Sequence, residues 1–116
     1  MFLNLNHYNL DVYKSARNLR KECYKTFSNF PESERFNLVD QIRRASTSVV
    51  LNITEGCSRK SETERKRYFE ISRGSVIEID SCYDMAIESN FFNAGELDEL
   101  GKHLKTTFIL LSGLLK

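Results

Sequence analysis

An ordered row of polar side chains is the part of this sequence best suited to chemistry. The row recurs every three or four residues, which places it on one face of a helix, and it comprises Gln41, Arg44, Ser48, Asn52 and Glu55. An apolar row with the same spacing comprises Leu38, Ile42, Ala45, Val49 and Ile53. At 100° per residue the two rows are about 60° to 80° apart, so the polar row borders the core.

Residue types that catalyse reactions or bind metals occur here without the partners that they need. Catalytic di-iron bundles require Glu-x-x-His motifs, and the sequence contains none. Glu99 and His103 form at most one helical pair, and His7 lies outside the predicted helices, so both histidines are predicted to be ordinary surface or boundary residues. No histidine is close enough in sequence to activate the serines near the polar row, which are Ser46, Ser48, Ser72 and Ser75. We therefore predict no catalytic residue, no metal site and no cofactor.

The three cysteines, Cys23, Cys57 and Cys82, are widely spaced and contain no Cys-x-x-Cys pair. Their odd number favours reduced, buried thiols in a cytoplasmic protein over a disulfide or zinc framework. The amino terminus has no basic residues ahead of an apolar run, unlike a signal peptide. The uncharged run 106–115 is too short to span a bilayer. We expect a cytoplasmic protein with neither a membrane partner nor a small-molecule substrate.

Charge is distributed unevenly along the chain, although the net charge is only +1. Residues 1–73 carry 14 basic and 9 acidic side chains, whereas residues 74–116 carry 3 basic and 7 acidic ones. The basic excess is densest at Arg59, Lys60, Arg65, Lys66 and Arg67. Such a cluster could contact the phosphates of a nucleic acid. The alternative is a solvated helix start that serves solubility, because Glu62 and Glu64 dilute the positive charge.

The first two of four predicted helices are separated by the only proline. The first helix is predicted over about residues 9–28, and Pro31 breaks it. The second helix follows, with Pro31 and Glu34 suited to its opening turn. Gly56 is predicted to close it in the left-handed conformation that glycine adopts readily. The polar row therefore belongs to the second helix.

The third helix is predicted to begin at a capping box, Ser61-x-x-Glu64, and to end near Ser89. The turn 91–95 leads to the fourth helix. Periodic apolar positions outside the second helix are Val12, Ala16, Leu19, Cys23 and Phe27, then Phe69, Ser72, Val76, Ile79, Tyr83 and Ala86, then Leu97, Leu100, Leu104, Phe108, Leu111 and Leu115. Long helices with short connections are antiparallel to their neighbours. The sequence thus predicts an all-α, up-down-up-down four-helix bundle, one domain over residues 1–116.

The second predicted hairpin places residues of the polar row opposite the third helix. If the chain turns at residues 58–60, Arg44 lies level with Gly74, and Ser75 and Glu78 lie within one turn. Glycine in mid-helix costs about 1 kcal/mol relative to alanine, and close approach of the second helix would compensate. We predict a hydrogen-bonded Arg44–Glu78 ion pair supported by Gln41, Ser48 and Ser75. Such a pair can mark an active site or be structural, and we predict the structural role.

Several of these segments together resemble one protein family. They are Leu10-x-Val12-Tyr13-x-x-Ala16-x-x-Leu19, Phe30-Pro31-x-x-Glu34, Leu38-x-x-Gln41-Ile42-Arg43-Arg44-Ala45, Ser48, Asn52-Ile53-x-Glu55-Gly56 and Gly74-Ser75-x-x-Glu78. The combination is similar to the four-helix bundle proteins also called 23S rRNA intervening-sequence proteins. The resemblance covers most of the chain.

That resemblance implies a small, all-α bacterial cytoplasmic protein that assembles as a ring-like homopentamer. Some family members are encoded within insertions in large-subunit rRNA genes. A related branch consists of accessory proteins of retroelements, which bind a reverse transcriptase and nucleic acid. The resemblance therefore implies a partner that is RNA or a nucleoprotein. The weakly basic charge of this chain argues against the reverse-transcriptase role.

The end of the fourth helix is apolar on nearly every side, at Phe108, Ile109, Leu110, Leu111, Leu114 and Leu115. A lone bundle buries only one stripe of each helix, so extra apolar faces indicate an interface. We predict that Ile109, Leu110 and Leu114 contact a neighbouring subunit, whereas fraying of the terminus is the alternative. The predicted protein is a non-enzymatic, homo-oligomeric binding or scaffold module for RNA or a nucleoprotein. The alternative is a structural accessory protein that contacts only other proteins.

Overall fold

Four α-helices form an antiparallel bundle in the computed structural model, which describes residues 2–116. The helices are α1 Asp11–Thr26, α2 Leu38–Ser58, α3 Glu62–Glu88 and α4 Asp98–Leu114. Each helix packs against two neighbours, in the order α1, α2, α3, α4 and back to α1. The predicted all-α four-helix bundle is therefore confirmed. The start of α1, the end of α2, the start of α3 and the end of α4 meet at one end, called the hairpin end below.

The opening of α2 differs from the prediction. Residues Glu32–Glu34 form a short 3-10 turn after Pro31, and α2 itself begins only at Leu38. The carboxylate of Glu34 accepts a hydrogen bond from the backbone N–H of Leu38 at 3.4 Å and from Asn37 Nδ2 at 2.9 Å. Because the first N–H groups of a helix have no intrahelical acceptor, Glu34 stabilises the start of α2 from the preceding turn.

The prediction for Gly56 is wrong. No glycine among the described residues has a positive φ, and α2 continues through Gly56 to Ser58. A Cβ atom at Gly56 would lie 2.5 Å from Cε1 of Phe69. Glycine occurs here because the Phe69 ring of α3 packs directly on the backbone of α2.

The close approach predicted at Gly74 is also wrong. Gly74 is exposed, and a Cβ atom there would have no neighbour within 4 Å. The two helices instead meet closely at Ser72, whose Oγ donates a hydrogen bond to the carbonyl of Val49 at 2.8 Å. Small residues do bring α2 and α3 together, but they are Gly56 and Ser72.

The start of α3 follows the prediction in part. Ser61 Oγ accepts a hydrogen bond from the backbone N–H of Glu64 at 3.1 Å, as an N-cap residue should. The carboxylate of Glu64 does not complete a capping box but lies 3.9 Å from Nη1 of Arg67. The cap is confirmed, and its reciprocal half is replaced by an ion pair within the helix.

The core consists of the periodic positions expected from the sequence. Every predicted core residue of α2 and α3 is buried, as are Val12, Ala16, Leu19 and Cys23 of α1. Phe27, which follows α1, is only partly buried. On the fourth segment Leu97, Leu100 and Leu111 are buried, whereas Leu104, Phe108 and Leu115 are partly buried. Leu104 and Phe108 of α4 are therefore covered less completely than Leu100 and Leu111 of the same helix.

A buried hydrogen bond links α1 to α4. The hydroxyls of Ser15 and Thr107 are 2.7 Å apart, and Thr107 also donates to the carbonyl of His103. We expect Thr107→Val to lower the free energy of unfolding by about 1 kcal/mol, because the Ser15 hydroxyl loses its partner in a buried site. Urea denaturation would measure this change.

The double variant Ser15→Ala/Thr107→Val provides the control. Removing both hydroxyls leaves no orphaned polar group, so we expect part of the lost stability to return. Strictly additive losses would show that the two hydroxyls do not stabilise one another.

Candidate functional site

The middle of the polar row forms a hydrogen-bonded cluster between α2 and α3. Ser75 Oγ donates to Ser48 Oγ at 2.9 Å, and Asn52 Nδ2 donates to Ser48 Oγ at 3.0 Å and to the Ser48 carbonyl at 2.9 Å. All three side chains are half-buried. Each polar group is satisfied by its neighbour, so the geometry is that of a structural seam along the outer edge of the α2–α3 interface.

The predicted Arg44–Glu78 ion pair is wrong. The Arg44 side chain is 68% exposed, and its Nε lies 3.6 Å from Oδ2 of Asp40, one turn earlier in α2. Glu78 is exposed on α3, and Gln41 is exposed on α2. Arg44 and Glu78 thus face solvent, and neither charge requires a buried partner.

The five basic residues predicted to bind phosphate surround the α2–α3 turn at the hairpin end, but acidic neighbours partly neutralise them. Arg59 lies 3.1 Å from Glu55, the last member of the polar row, and donates to Tyr68 Oη at 3.0 Å. The other ion pairs of this cluster are Lys66–Glu62 at 3.3 Å and Arg67–Glu64 at 3.9 Å. Of these five basic residues, only Lys60 and Arg65 have no carboxylate within 4.0 Å in the described part of the chain. The cluster is therefore less positive than its sequence implies.

Nucleophilic and basic side chains are buried without forming a catalytic arrangement. Burial raises the pKa of Cys23 to about 12 and raises the pKa of Tyr83 as well, so both side chains keep their protons. Tyr83 Oη lies 2.8 Å from Thr26 Oγ1 and 3.4 Å from the carbonyl of Cys23, which ties α3 to α1. This is the geometry of a structural contact.

The remaining thiols and histidines are also isolated. Cys23 and Cys82 are buried, as predicted, whereas Cys57 is half-buried; burial raises the pKa of each thiol. The prediction that His7 is a surface or boundary residue is wrong. His7 is buried against Tyr8 and Tyr13, burial lowers its pKa, and its Nε2 has no partner in the described residues.

Two general features of the described residues bear on cofactors and membranes. Within residues 2–116, no group of three or more His, Cys, Asp or Glu side chains is arranged to hold a metal ion. No helix of that part of the chain is both long enough and apolar enough to cross a membrane.

The residues predicted to contact another subunit differ in exposure. Ile109 is 67% exposed and Leu114 is 39% exposed, whereas Leu110 is half-buried and packs against the core. Ile109 and Leu114 therefore form the uncovered part of this apolar end, and Leu110 supports the bundle itself.

The sequence analysis missed a second basic surface, on α1. Tyr13, Arg17, Arg20 and Tyr24 recur at intervals of four, three and four residues and form one row, called the α1 row below. Arg20 lies over the Tyr24 ring at 4.4 Å, and its Nε donates to Thr47 Oγ1 of α2 at 3.2 Å. The spacing is visible in the sequence, but only the structure shows that the row borders α2.

Comparison with known proteins identifies relatives over nearly the whole chain. Residues 8–113 match the family model described as 23S rRNA-intervening sequence protein. No curated protein matches at a significant level.

A solved structure shares the fold. A crystal structure from Bacteroides thetaiotaomicron VPI-5482, of a protein with unknown function from the S23 ribosomal protein family, superposes with a TM-score of 0.82. The two chains are 17% identical over 90% of this chain and 98% of the other. At that identity the likeness concerns the fold, and the family assignment depends on the match over residues 8–113. This chain belongs to the 23S rRNA-intervening sequence protein family.

Proposed function

We propose that this protein is a non-enzymatic, homo-oligomeric binding or scaffold module whose partner is RNA, alone or in a nucleoprotein. The observation that carries the proposal is the separation of charge across the bundle. Residues 1–73, which comprise α1, α2 and the first half of α3, hold 14 of the 17 basic side chains. The rest of α3 and α4 hold an acidic excess. A bundle with one basic side offers a polyanion a favourable surface despite its small net charge.

The non-enzymatic part of the proposal is supported by the chemistry of the buried groups. The thiols of Cys23 and Cys82 are buried and protonated, and His7 contacts aromatic rings instead of a serine or cysteine. Nucleophilic catalysis requires an activated nucleophile beside a base. The polar cluster at Ser48 contains neither.

Salt-dependent retention on RNA tests the proposal. We expect binding of a labelled single-stranded RNA at low salt, and the logarithm of the binding constant should fall linearly with the logarithm of the salt concentration. Absence of binding at about 50 mM salt would contradict the RNA proposal, because phosphate contacts are strongest under those conditions.

Replacing the five basic residues of the hairpin end by glutamine should weaken RNA binding and flatten its salt dependence. Each lost phosphate contact lowers the slope by about 0.7 for a single strand. We expect the slope to change by much less than the loss of five contacts would produce, because Arg59, Lys66 and Arg67 already pair with carboxylates. A fluorescence anisotropy titration at several salt concentrations would measure both quantities, and an unchanged slope would exclude this cluster from the binding surface.

The second candidate function is that of an accessory module that contacts only proteins. The exposed Ile109 and Leu114 favour it, because uncovered apolar side chains on a helix are typical of protein interfaces. A stable oligomer that does not bind RNA at any salt concentration would support this function over the first.

A further inference from the structure

The α1 row continues into a surface groove between α1 and α2. The groove, called the α1–α2 groove below, has a volume of about 260 Å³ and is lined by Arg17, Arg20, Lys21, Thr47, Val50 and Leu51. A second cleft of about 600 Å³ adjoins it at the hairpin end, where Arg17 also lines the wall together with Tyr8, Tyr13 and Asn9. Because Arg17 lines both, the two concavities adjoin at its side chain, and together they are called the path below.

Positive charge along this path is not neutralised by ion pairs within residues 2–116. In the described residues no carboxylate oxygen lies within 4.0 Å of Lys14, Arg17, Arg20 or Lys21. Glu22, the acidic residue of this stretch, pairs with Lys25 and lines a pocket on the α4 side of α1. The α1–α2 groove is therefore the larger uncompensated positive surface, in contrast to the cluster at the hairpin end.

Aromatic rings are interleaved with the arginines. Arg17 lies 5.8 Å from the centroid of the Tyr13 ring, and Arg20 donates to Tyr24 Oη at 3.0 Å. Tyr24 packs against Phe27 at 4.8 Å, and Arg43 of α2 lies over Phe27 at 5.3 Å. Tyr24 is 37% exposed, and Leu51 on the other wall is 56% exposed. Arg20, which lines the groove and lies over the Tyr24 ring, connects the groove to this exposed ring, and Leu51 supplies an apolar contact.

This combination matches the chemistry of unpaired nucleotides. Proteins bind single strands by pairing a basic groove with aromatic side chains on which bases stack. A duplex offers no unstacked base to an aromatic ring, so its binding would use only the charges. A protein partner with an acidic surface would need no stacking ring.

We infer that the α1–α2 groove binds single-stranded RNA, with Arg17, Arg20 and Lys21 contacting phosphates and Tyr24 stacking on a base. This inference rests on the proposed function and assigns it a specific surface.

The test compares labelled oligouridine with a blunt-ended RNA duplex in anisotropy titrations over a range of salt concentrations. The variant R17Q/R20Q/K21Q should lower the slope for the single strand by about 2, since each phosphate contact contributes about 0.7. Y24L should weaken single-strand binding about tenfold and affect duplex binding much less. The variant R35Q/K102Q/K105Q, which removes the same charge from exposed positions elsewhere, is the matched control and should change the slope much less.

Arg20 also contacts Thr47 and Tyr24, so replacing it could disturb the packing of α1. The double variant R17Q/K21Q is therefore measured in parallel, because it changes only exposed side chains. If RNA binds and both groove variants behave like the matched control, the groove inference is overturned while the proposed function stands. If a Y24L protein loses affinity for single strand and duplex equally, stacking is overturned. If the unmodified protein binds neither RNA at low salt, the proposed function and the groove inference both fail.

Discussion

Replacing Gly56 by alanine is expected to lower the free energy of unfolding by about 1 to 3 kcal/mol, the usual cost of overpacking a core. The added methyl group would lie 2.5 Å and 2.8 Å from two atoms of the Phe69 ring and 3.1 Å from the carbonyl oxygen of Arg65. Phe69 is itself buried, so its ring cannot move aside into solvent. The steric cost therefore exceeds the gain of up to about 1 kcal/mol that alanine brings to a helix.

Gly74→Ala is the matched control for this prediction. A Cβ atom at Gly74 meets nothing within 4 Å, so the same substitution should raise the free energy of unfolding by about 0.5 to 1 kcal/mol. Urea denaturation of the three proteins at one concentration would measure both changes, with unchanged m-values indicating an effect on stability alone. A Gly56→Ala protein as stable as the Gly74→Ala protein would contradict the packing of Phe69 on α2.

The two glycines also illustrate how far the sequence could predict the fold. Helical periodicity predicted which residues are buried, since burial follows from the spacing of apolar side chains. It did not predict how α2 and α3 are rotated about their own axes. That rotation decides that Gly56 lies in the interface and Gly74 in solvent, and it depends on contacts such as Ser72 with Val49.

The rotation of α2 and α3 also determines which residues of the polar row contact α3. Its central members, Ser48 and Asn52, hydrogen-bond to one another, and Ser48 also accepts a hydrogen bond from Ser75 of α3. Arg44 and Glu78 point outward, and Asp40 satisfies Arg44 from the same helix. An acidic residue four positions before an arginine forms such a pair on any exposed helix. Asp40 therefore satisfies Arg44 within α2, and no partner on α3 is needed.

Local pairing likewise decides which basic residues remain available to a ligand. The cluster at residues 59–67 is the densest in the sequence, yet three of its members have acidic partners three or four positions away. The basic residues of α1 are more scattered along the chain, yet Arg17, Arg20 and Lys21 line one groove against α2, and the helical spacing places Arg20 over Tyr24. The density of charge in the sequence was therefore a poorer guide than its neutralisation in the fold.

The double variant Ile109→Lys/Leu114→Lys is expected to convert the proposed oligomer to monomers at micromolar concentration. Both side chains are exposed on the second half of α4, where the bundle leaves apolar surface uncovered. Association would bury them, and an unpaired lysine in a buried contact costs about 3 to 5 kcal/mol. Such a cost corresponds to a loss of more than about 100-fold in affinity. Leu110 is left unchanged because it packs against the core.

Sedimentation equilibrium or light scattering would test the expected change in mass, with the family resemblance leading us to expect a pentamer before substitution. Phe36→Lys is the control, because Phe36 is 85% exposed but precedes α2, at the opposite end of the bundle from Leu114. This substitution removes a larger exposed apolar side chain without changing α4, so assembly should persist. A monomeric unmodified protein would refute the assembly proposal. An unchanged mass of the double variant would show that subunits meet on a different face, and the uncovered apolar end of α4 would then need another partner.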